Sequence, residues 1–345
     1  MPMVTLKFAD GDCVRIESKD GETILRAARR AGLQLSSDCE VGDCQTCRAT
    51  CLSGQLEYDE FASISLTPDE TGSGETLPCV AMAVTDVELR LPYERAHLIP
   101  AKPFSIKIEQ ARRVSASVIA VTARVQGLRG LRFLPGQYVN LNIPGTTEWR
   151  SYSMANASAE PRNLEFFVRL LEGGVMSRYL IERASPGDVV QCSGPQGTFY
   201  LRGSARPILM VAGGTGVAPM VSMLRQMIAS QELRHVTLCF GVTAASDLFL
   251  VDELTTIARL FPAFEARIAI AQGSSTPGIH AGFVTDLIGT DSLADTDVYL
   301  CGPPAMTDRA REIVAGRGAL TASIFSERFL PSSRSSAQTQ ANELI

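Results

Sequence analysis

The stretch SDCEVGDCQTCRATC, residues 37–51, holds four of the nine cysteines of this 345-residue chain. The opening of the chain, MPMVTLKFADGD, alternates apolar and polar side chains as a strand does, and it lacks the regions of a signal peptide. We therefore expect a cytoplasmic protein with reduced thiols. In a reducing compartment, clustered cysteines hold metal or carry out redox chemistry more often than they form disulfides.

Three of these cysteines, Cys39, Cys44 and Cys47, stand in a C-x4-C-x2-C run. This is the plant-type ferredoxin spacing for three thiolates of a [2Fe-2S] cluster, whose fourth ligand is distant in sequence. Cys79, in LPCVA, fits the fourth place. Gly42 lies inside the run and suits a loop that turns its backbone N–H groups toward sulfur. We predict that the four cysteines are the metal ligands.

Two other assignments use the same thiols. A structural zinc site usually pairs two C-x2-C units, and only one is present here, at positions 44 and 47. Cys51 as fourth ligand would give a compact run closer to bacterial four-iron sites, but its spacing matches them poorly. The cysteines that lie in apolar strand patterns are expected to be core residues: Cys13, Cys192 and Cys239.

Hydrophobic periodicity divides the chain into three domains. Residues 1–95 show a hairpin around Asp10-Gly11, a helix that ends near Gly32 and a late strand, which indicates a small α+β domain. After a linker at 96–103, residues 104–203 hold short strands punctuated by Gly and Pro, with one helix, VMSRYLIERA. This pattern favours a β-barrel. Strands and helices alternate over 204–330, including a predicted helix FVTDLIG, and indicate a doubly wound parallel sheet. Residues 331–345 form a polar tail.

The charge is unevenly distributed. Residues 1–95 hold nine Lys and Arg against seventeen Asp and Glu, a net charge of −8, whereas the whole chain carries −5. The acidic segment argues against a nucleic-acid partner and suggests docking on a basic surface. The most apolar stretch, PILMVAGGTGVAPMVSML, is broken by Gly and Pro and falls short of the ~20 apolar residues of a membrane span.

The middle segment contains RSYS, Arg150 to Ser153, and GGVMS, Gly173 to Ser177. Arg150 offers a fixed fork for a phosphate and Tyr152 a flat ring for stacking, while the turn into the helix offers free N–H groups to an anion. Taken singly, each element is equally consistent with a solvated arginine or an ordinary turn. Their combination favours a bound phosphate-bearing cofactor.

The third segment opens on ILMVAGGTGVAPM, a strand, a glycine turn and a helix with Pro219 in its first turn. Glycines in such a turn let the backbone approach a diphosphate, although a tight strand-to-helix crossover explains them as well. The later segment TAASDLFL offers no cation to a 2′-phosphate, and Asp247 would repel one. The sequence therefore predicts NADH rather than NADPH.

Residues 1–95 resemble the ferredoxin domain with its β-grasp fold. One departure is Gln45, which stands where many relatives have Gly or Ala. LPGQYVNL, RSYS and the G-x-x-S segment resemble the flavin barrel of the ferredoxin-NADP reductase superfamily, and YLCGPPAM resembles its nicotinamide turn. The resemblance implies that Arg150 and Ser177 meet the FAD diphosphate, that Tyr152 packs on the isoalloxazine, and that the Ser153 hydroxyl approaches flavin N5.

The resemblance also implies the rest of the site. Catalytic roles fall to Ser153, Cys301 and Glu327. Phe329, or else Phe325, would shield the flavin, although an aromatic residue near a chain end is commonly ordinary packing. The implied cofactor-binding residues are Arg150, Tyr152, Ser153, Gly174, Met176, Ser177, Phe329, Gly213, Gly214, Thr215, Gly216, Pro219, Cys301, Gly302 and Pro303.

The order ferredoxin, FAD barrel, NAD domain is similar to the reductase components of bacterial aromatic-ring dioxygenases of the benzoate, toluate, anthranilate and halobenzoate type. This resemblance implies electron transfer from NADH through FAD and a [2Fe-2S] cluster to a separate terminal oxygenase. The same chemistry would serve a di-iron monooxygenase. A redox-sensing regulator is the other alternative, and the sequence shows no DNA-reading helix or basic patch that would support it.

Overall fold

The computed structural model describes residues 1–58, 62, 64–127, 130–273 and 277–329. The predicted polar tail lies outside the described residues. The chain divides into two compact units, the first formed mainly by Met1–Ala101 and the second by residues from Lys102 onward. The domain bounds inferred from sequence stay a prediction.

The first unit is a small α+β domain. Its main sheet has the strand order β2-β1-β7-β3-β5 and is mixed, because β1 pairs with β7 in parallel and with β2 antiparallel. A second, two-stranded sheet joins β4 to β6. The elements are β1 Met3–Lys7, β2 Cys13–Glu17, α1 Ile24–Arg30, β3 Ala49–Ser53, β4 Leu56–Tyr58, α2 Pro68–Gly72, β5 Glu75–Thr76, β6 Ala81–Ala83 and β7 Val87–Arg90.

Local sequence explains the boundaries of the predicted hairpin and helix. Gly11 has φ +87°, which the tight turn between β1 and β2 requires. The Thr23 hydroxyl accepts a hydrogen bond from the amide of Arg26 and caps α1, which ends at Arg30; Ala31 is its C-cap, just before Gly32 with φ +74°. The short α2 and strands β3 to β6 were not predicted: α2, β4, β5 and β6 have at most five residues, and β3, ATCLS, shows no regular alternation of apolar and polar residues.

The second unit begins with an antiparallel sheet of order β11-β10-β13-β8-β9-β12. The amide of Ala155, just past β11, donates to the Glu165 carbonyl on β12 at 2.8 Å, so the two end strands meet and the sheet curls into a barrel. The short strands and the single helix predicted for this segment are present. They are β8 Lys102–Ser115, β9 Val118–Val125, β10 Tyr138–Asn142, β11 Trp149–Ser153, β12 Asn163–Arg169, α3 Val175–Glu182 and β13 Val189–Gln196.

A parallel sheet of order β17-β16-β15-β14-β18-β19 completes the unit. Its strand β14 is buried along almost all of its length, as parallel strands covered on both faces are. The elements are β14 Ile208–Gly213, α4 Val217–Ala229, β15 Val236–Ala244, α5 Val251–Leu260, β16 Phe264–Gln272, β17 His280–Ala281, β18 Asp297–Gly302, α6 Pro304–Gly316 and β19 Ile324–Arg328. The predicted fold class is confirmed for all three domains.

Two local expectations were wrong, and two elements were missed. FVTDLIG forms a single 3-10 turn at Val284–Leu287 instead of a helix. A Cβ on Gly241 would lie 2.6 Å from the Val284 Cβ, so close packing against β15 fixes this short turn. Cys13 is exposed at the start of the edge strand β2, whereas Cys192 and Cys239 are buried as expected. Helix α6 and strand β19 were not predicted.

Helix α4 ties the barrel to the parallel sheet. Arg225 pairs with Glu165 of β12 at 2.5 Å and with Glu253 of α5 at 2.7 Å. The Ser222 hydroxyl donates to the Asn156 carbonyl at 2.7 Å. These half-buried and buried contacts hold the carboxyl ends of the parallel strands against the barrel.

None of the helices in the described part of the chain combines the length and apolarity that crossing a bilayer needs.

Candidate functional site

The four predicted cluster ligands come together as two pairs of thiols. Cys39 and Cys44 are hydrogen-bonded to each other, and so are Cys47 and Cys79. The amide of Cys39 also faces the Cys44 sulfur at 3.4 Å, and the amide of Cys44 faces the Cys39 sulfur at 3.3 Å. In a [2Fe-2S] cluster each iron takes two protein ligands, so two thiol pairs fit the group.

Backbone amides of the loop also point at these sulfurs. The amides of Val41 and Asp43 donate to Cys39, and the amide of Gly42 donates to Cys79. The hydrogen bond from the partner thiol Cys44, together with these amides, lowers the pKa of Cys39 to about 6. These amides stabilise the anionic form of the Cys39 and Cys79 sulfurs, the form that binds iron, whereas the pKa values of Cys44 and Cys47 are raised by the hydrogen bonds to their partner thiols.

The loop includes a left-handed residue that is not glycine. Gln45 has φ +59°, a conformation for which glycine is the ordinary choice. Its side chain compensates by donating to the Ser65 carbonyl at 2.7 Å. Arg48 donates to the Gln45 side chain and is itself held by ion pairs to Glu70 and Glu75, each at 2.8 Å. The hydrogen bonds of its side chain thus explain why glutamine occurs at position 45, which the sequence did not reveal.

The two alternatives to this assignment receive no geometric support. Cys51 lies on β3 and its thiol donates to the Ser53 carbonyl rather than to a cysteine. Paired thiols suit two irons better than one tetrahedral zinc.

The barrel residues proposed for FAD lie on β11 and at the start of α3. Arg150 is paired with Glu148 at 2.5 Å, and Tyr152 packs edge-on against Phe166 at a centroid distance of 6.5 Å. Burial raises the pKa of Tyr152, so its phenol stays neutral. The antiparallel pairing of β11 with β10 fixes the direction of each side chain.

The turn at the start of α3 is closely packed and leaves the first-turn amides of the helix without helical acceptors. Gly174 precedes the helix, and a Cβ there would lie 2.9 Å from the Ser177 hydroxyl oxygen and 3.1 Å from the Leu171 carbonyl. That hydroxyl accepts a hydrogen bond from the Leu171 amide at 2.8 Å and braces the turn. Met176 packs its side chain in the barrel core, so only its backbone amide can serve a cofactor. The first-turn amides fit a diphosphate.

The glycine turn after β14 is crowded by its neighbours. A Cβ on Gly216 would lie 2.4 Å from the Cys301 carbonyl, and one on Gly213 would lie 2.7 Å from the Met306 sulfur. Gly214 has φ +56°. Helix α4 begins at Val217, so Pro219 is its third residue, within the first turn where its missing N–H breaks no helical bond. Only glycine fits this close approach of two strand ends.

A cleft opens beside the glycine turn at the carboxyl ends of the parallel strands, where doubly wound folds bind dinucleotides. Its wall is shared by the barrel and the parallel sheet. The lining residues are Ser117, Val118, Arg169, Gly213, Gly214, Thr215, Gly241, Val242, Thr243, Asp247, Phe249, Ala271, Phe283, Val284, Pro303 and Met306.

Arg169 is a site residue that the sequence reasoning missed. It ends β12 and is exposed, and a Cβ on Gly214 would lie 3.6 Å from its guanidinium. A cation that faces the glycine turn from the barrel favours a diphosphate in the cleft. The signal in the sequence was an arginine at the end of the strand LEFFVRLL, which only the fold places opposite the turn.

The three proposed catalytic side chains meet at one point. Ser153 ends β11, Cys301 lies near the end of β18, and Glu327 lies on β19. The Ser153 hydroxyl donates to the Glu327 carboxylate at 3.2 Å, and the Cys301 thiol lies 3.9 Å from the same oxygen. Polar groups from three distant segments therefore converge between the barrel and the parallel sheet.

The C-terminal strand also places the two aromatic candidates. Phe325 packs on Tyr299 at a centroid distance of 5.0 Å, and the guanidinium of Arg202 lies 4.9 Å from its ring. The amide of Phe329 donates to the Gly302 carbonyl at 2.9 Å, and the side chains of Phe325 and Phe329 both pack, partly buried, against the same hydrophobic core. Shielding of a flavin by either ring stays a prediction.

Burial raises the pKa of the Glu327 carboxyl to about 7, against the opposing effect of hydrogen bonds from Ser153 and Cys301. Because the pKa in the folded state is above that in the unfolded state, the contribution of Glu327 to stability falls as pH rises from about 4.5 to about 7. We expect Glu327→Gln to gain thermal stability relative to the wild type between pH 5 and pH 8, by a few degrees in Tm.

Calorimetry of both proteins at the two pH values measures this effect. Glu265→Gln is the control, because its partner Arg267 lowers the pKa of that exposed carboxyl. A difference in Tm between wild type and Glu327→Gln that is the same at pH 5 and pH 8 would contradict the prediction.

Three known families match successive parts of the chain. The family described as "2Fe-2S iron-sulfur cluster binding domain" matches residues 7–84, "Oxidoreductase FAD-binding domain" matches 105–200, and "Oxidoreductase NAD-binding domain" matches 210–312. Fold and site define the class: the protein is an iron–sulfur flavoprotein oxidoreductase with [2Fe-2S], FAD and NAD domains.

Individual relatives narrow the class to a family. The chain is 35% identical to the toluate 1,2-dioxygenase electron transfer component of Pseudomonas putida, over 95% of this chain and 98% of that one. It is 37% identical to methane monooxygenase component C of Methylosinus trichosporium, over 79% and 84% of the two chains. The crystal structure of the Amycolatopsis cytochrome P450 reductase GcoB superposes with a TM-score of 0.73 at 30% identity, covering 96% of this chain and 100% of that one. The chain belongs to the electron-transfer components of the bacterial aromatic-ring dioxygenase family.

Proposed function

We propose that the protein takes electrons from NADH and delivers them, through FAD and a [2Fe-2S] cluster, to the terminal oxygenase of an aromatic-ring dioxygenase that acts on a benzoate-like substrate. The observation that carries the proposal is the pairing of Cys39 with Cys44 and of Cys47 with Cys79, in a chain that also holds a dinucleotide cleft.

A bound FAD would supply a two-electron hydride acceptor that can release its electrons singly, and a bound cluster would supply a one-electron carrier. The residues supply binding and orientation. Arg150 and the first-turn amides of α3 hold the FAD diphosphate, Tyr152 packs on the ring, and Phe329 covers it. Ser153, Cys301 and Glu327 form the polar wall where nicotinamide and flavin meet.

The glycine turn and Arg169 hold the diphosphate of the coenzyme. Asp247 lies in the same cleft and is half-buried. A carboxylate there accepts hydrogen bonds from ribose hydroxyls and repels a 2′-phosphate, which supports NADH as the electron donor. The protein needs oriented binding more than acid–base groups, in keeping with only three histidines in the whole chain.

Two features support the oxygenase partner. The toluate relative is named as the electron transfer component of a dioxygenase, and it is matched over nearly its full length. The acidic first segment, with net charge −8, suits a basic docking surface. We also place the protein in the cytoplasm, because a reducing compartment keeps the thiols of a cluster loop available for iron.

The first test is the visible spectrum of the aerobically purified protein, followed by anaerobic addition of NADH. We expect flavin and iron–sulfur bands that both bleach, and rapid reduction of cytochrome c. Protein that remains colourless and iron-free after reconstitution with iron, sulfide and FAD would overturn the proposal. Slow turnover with every artificial acceptor would favour a redox sensor instead.

A second experiment identifies the partner. Purified terminal oxygenases of the benzoate or toluate type and the hydroxylase of a di-iron monooxygenase are supplied with this protein and NADH, and product formation is measured. We expect the aromatic dioxygenase to be the better acceptor and its electron-transfer rate to fall as ionic strength rises. Faster turnover with the monooxygenase would assign the protein to that system, as its likeness to the methane monooxygenase component allows.

A further inference from the structure

We propose that Ser117, a residue of the flavin barrel, is a positioning residue that sets the selectivity of the nucleotide cleft for NADH over NADPH. It acts by orienting the carboxylate of Asp247. This inference rests on the proposed role of Asp247 toward the coenzyme ribose.

The hydrogen bond between the two residues joins separate parts of the fold. Ser117 lies in the two-residue turn between β8 and β9, and Asp247 ends a 3-10 turn after β15. The Ser117 hydroxyl donates to Asp247 Oδ1 at 2.5 Å. The two side chains are 130 positions apart in the sequence, so neither local pattern indicated the contact.

Backbone contacts fix the turn that presents the hydroxyl. The amide of Ala116 donates to the Ser246 carbonyl at 2.8 Å, which links the same two turns a second time. The Ser117 carbonyl accepts a hydrogen bond from the Leu170 amide at 2.7 Å. With its main chain held on both sides, Ser117 has little freedom to direct its hydroxyl elsewhere.

The carboxylate is restrained at its other oxygen as well. Asp247 Oδ2 accepts a hydrogen bond from the Ala244 amide at 3.3 Å. Both Ser117 and Asp247 line the cleft that contains the glycine turn and Arg169. A carboxylate held by one donor at each oxygen keeps further lone pairs in a defined direction toward a ligand in the cleft.

Orientation matters because the same group must attract one coenzyme and repel the other. A carboxylate only accepts hydrogen bonds, so it favours a ribose with a free 2′-hydroxyl, and it opposes a 2′-phosphate by like-charge repulsion and desolvation. Both effects decline if the carboxylate rotates out toward solvent, where charges are screened. Ser117 prevents that rotation, and it does so only when the barrel and the nucleotide domain are docked.

The test compares kcat and KM for NADH and NADPH in wild type and Ser117→Ala, with ferricyanide as acceptor. We expect Ser117→Ala to raise the KM for NADH several-fold with kcat nearly unchanged, and the ratio of kcat/KM for NADH to that for NADPH to fall about tenfold, the effect of losing one hydrogen bond to a charged group. Ser117→Thr keeps the hydroxyl and should keep the wild-type ratio.

The matched control is Ser158→Ala. Ser158 is also half-buried in the barrel and also donates across to the nucleotide domain, to the Gln226 side chain at 2.9 Å, but it does not line the cleft. Its loss should leave the coenzyme ratio unchanged. An equal shift of the coenzyme ratio in both variants would assign the effect to any contact between the barrel and the nucleotide domain and would overturn the proposal.

A double-mutant cycle tests whether Ser117 acts through Asp247. In an Asp247→Ala background, Ser117→Ala should change the coenzyme ratio no further. Asp247→Glu keeps the charge but moves the carboxylate by one methylene, so it should lower the coenzyme ratio as Ser117→Ala does. If Ser117→Ala fails to retain FAD, Asp247→Glu serves as the test in its place. A wild-type ratio in Ser117→Ala, or additive effects in the cycle, would refute the inference. A wild type that NADH cannot reduce would instead refute the proposed function.

Discussion

Replacement of Cys79 by serine is expected to abolish electron delivery to cytochrome c while NADH still reduces the flavin. Cys79 is buried, it pairs with Cys47, and it receives the amide of Gly42 at its sulfur. Losing a partner that only supports a metal ligand typically costs 10–100-fold in metal affinity or activity, and losing a ligand itself costs more. We therefore expect cytochrome c reduction to fall by more than about 100-fold.

The measurement uses two acceptors. Ferricyanide accepts electrons directly from flavin, so its rate should stay within about twofold of the wild type, because the barrel and nucleotide domain are unchanged. Iron and sulfide analysis and the visible spectrum report on the cluster. Cys51→Ser is the matched control, since Cys51 is a nearby half-buried thiol that bonds to the Ser53 carbonyl. A variant at Cys79 that keeps a full cluster, or a Cys51 variant that loses it, would show that the ligand assignment is wrong.

The second large effect is expected at Ser153. The hydroxyl of Ser153 is buried and donates to Glu327 at 3.2 Å, at the point where β11 of the barrel meets β18 and β19. In Ser153→Ala the buried Glu327 carboxyl loses its hydrogen-bond donor from the barrel, and the wall between nicotinamide and flavin loses a fixed group. A misplacement of about 1 Å in such a site costs about 10²-fold in rate. We expect flavin reduction by NADH to slow by roughly that factor.

Stopped-flow absorbance under anaerobic conditions separates this step from coenzyme binding. The rate at saturating NADH should fall, while the apparent dissociation constant of NADH should change by less than about threefold, because the glycine turn is intact. Ser151→Ala provides the control: Ser151 lies on the same strand, and its hydroxyl donates to Asn140 at 2.7 Å instead. Equal slowing in both variants would indicate general damage to β11, and an unchanged rate in Ser153→Ala would remove Ser153 from the catalytic group.

Much of the architecture could be read from local patterns. The spacing of Cys39, Cys44 and Cys47 indicated a [2Fe-2S] site, because a cluster ligand loop must wrap the irons within a few residues. The strands of the barrel and the alternation of strand and helix after residue 204 were visible because periodicity is a property of consecutive residues. Where a segment was short, as in FVTDLIG, the pattern was ambiguous, and packing of Val284 over Gly241 decided the outcome.

The departures from expectation have one cause: the surroundings of a side chain depend on tertiary neighbours, which the local pattern does not show. Cys13 follows an apolar alternation but lies at the start of an edge strand, so exposure depended on the neighbours of β2 in the sheet and not on the pattern itself. Phe325 and Phe329 looked equivalent in FSERFL. The contacts of Phe325 with Tyr299 and Arg202, and the hydrogen bond from the Phe329 amide to the Gly302 carbonyl, depend on the pairing of β19 with β18, which the local pattern does not show.

The sequence by itself determined the three domains, their order, the cluster cysteines as candidates and the two glycine turns before α3 and after β14. Each of these features depends on residues that are close together along the chain. Only the tertiary structure brought Ser153, Cys301 and Glu327 to one point, placed Arg169 opposite Gly214, and joined Ser117 to Asp247. The physical reason is that these contacts form between strand ends and turns far apart in sequence. Their distances follow from sheet register and from how α4 packs on the barrel, which no local pattern of residues encodes.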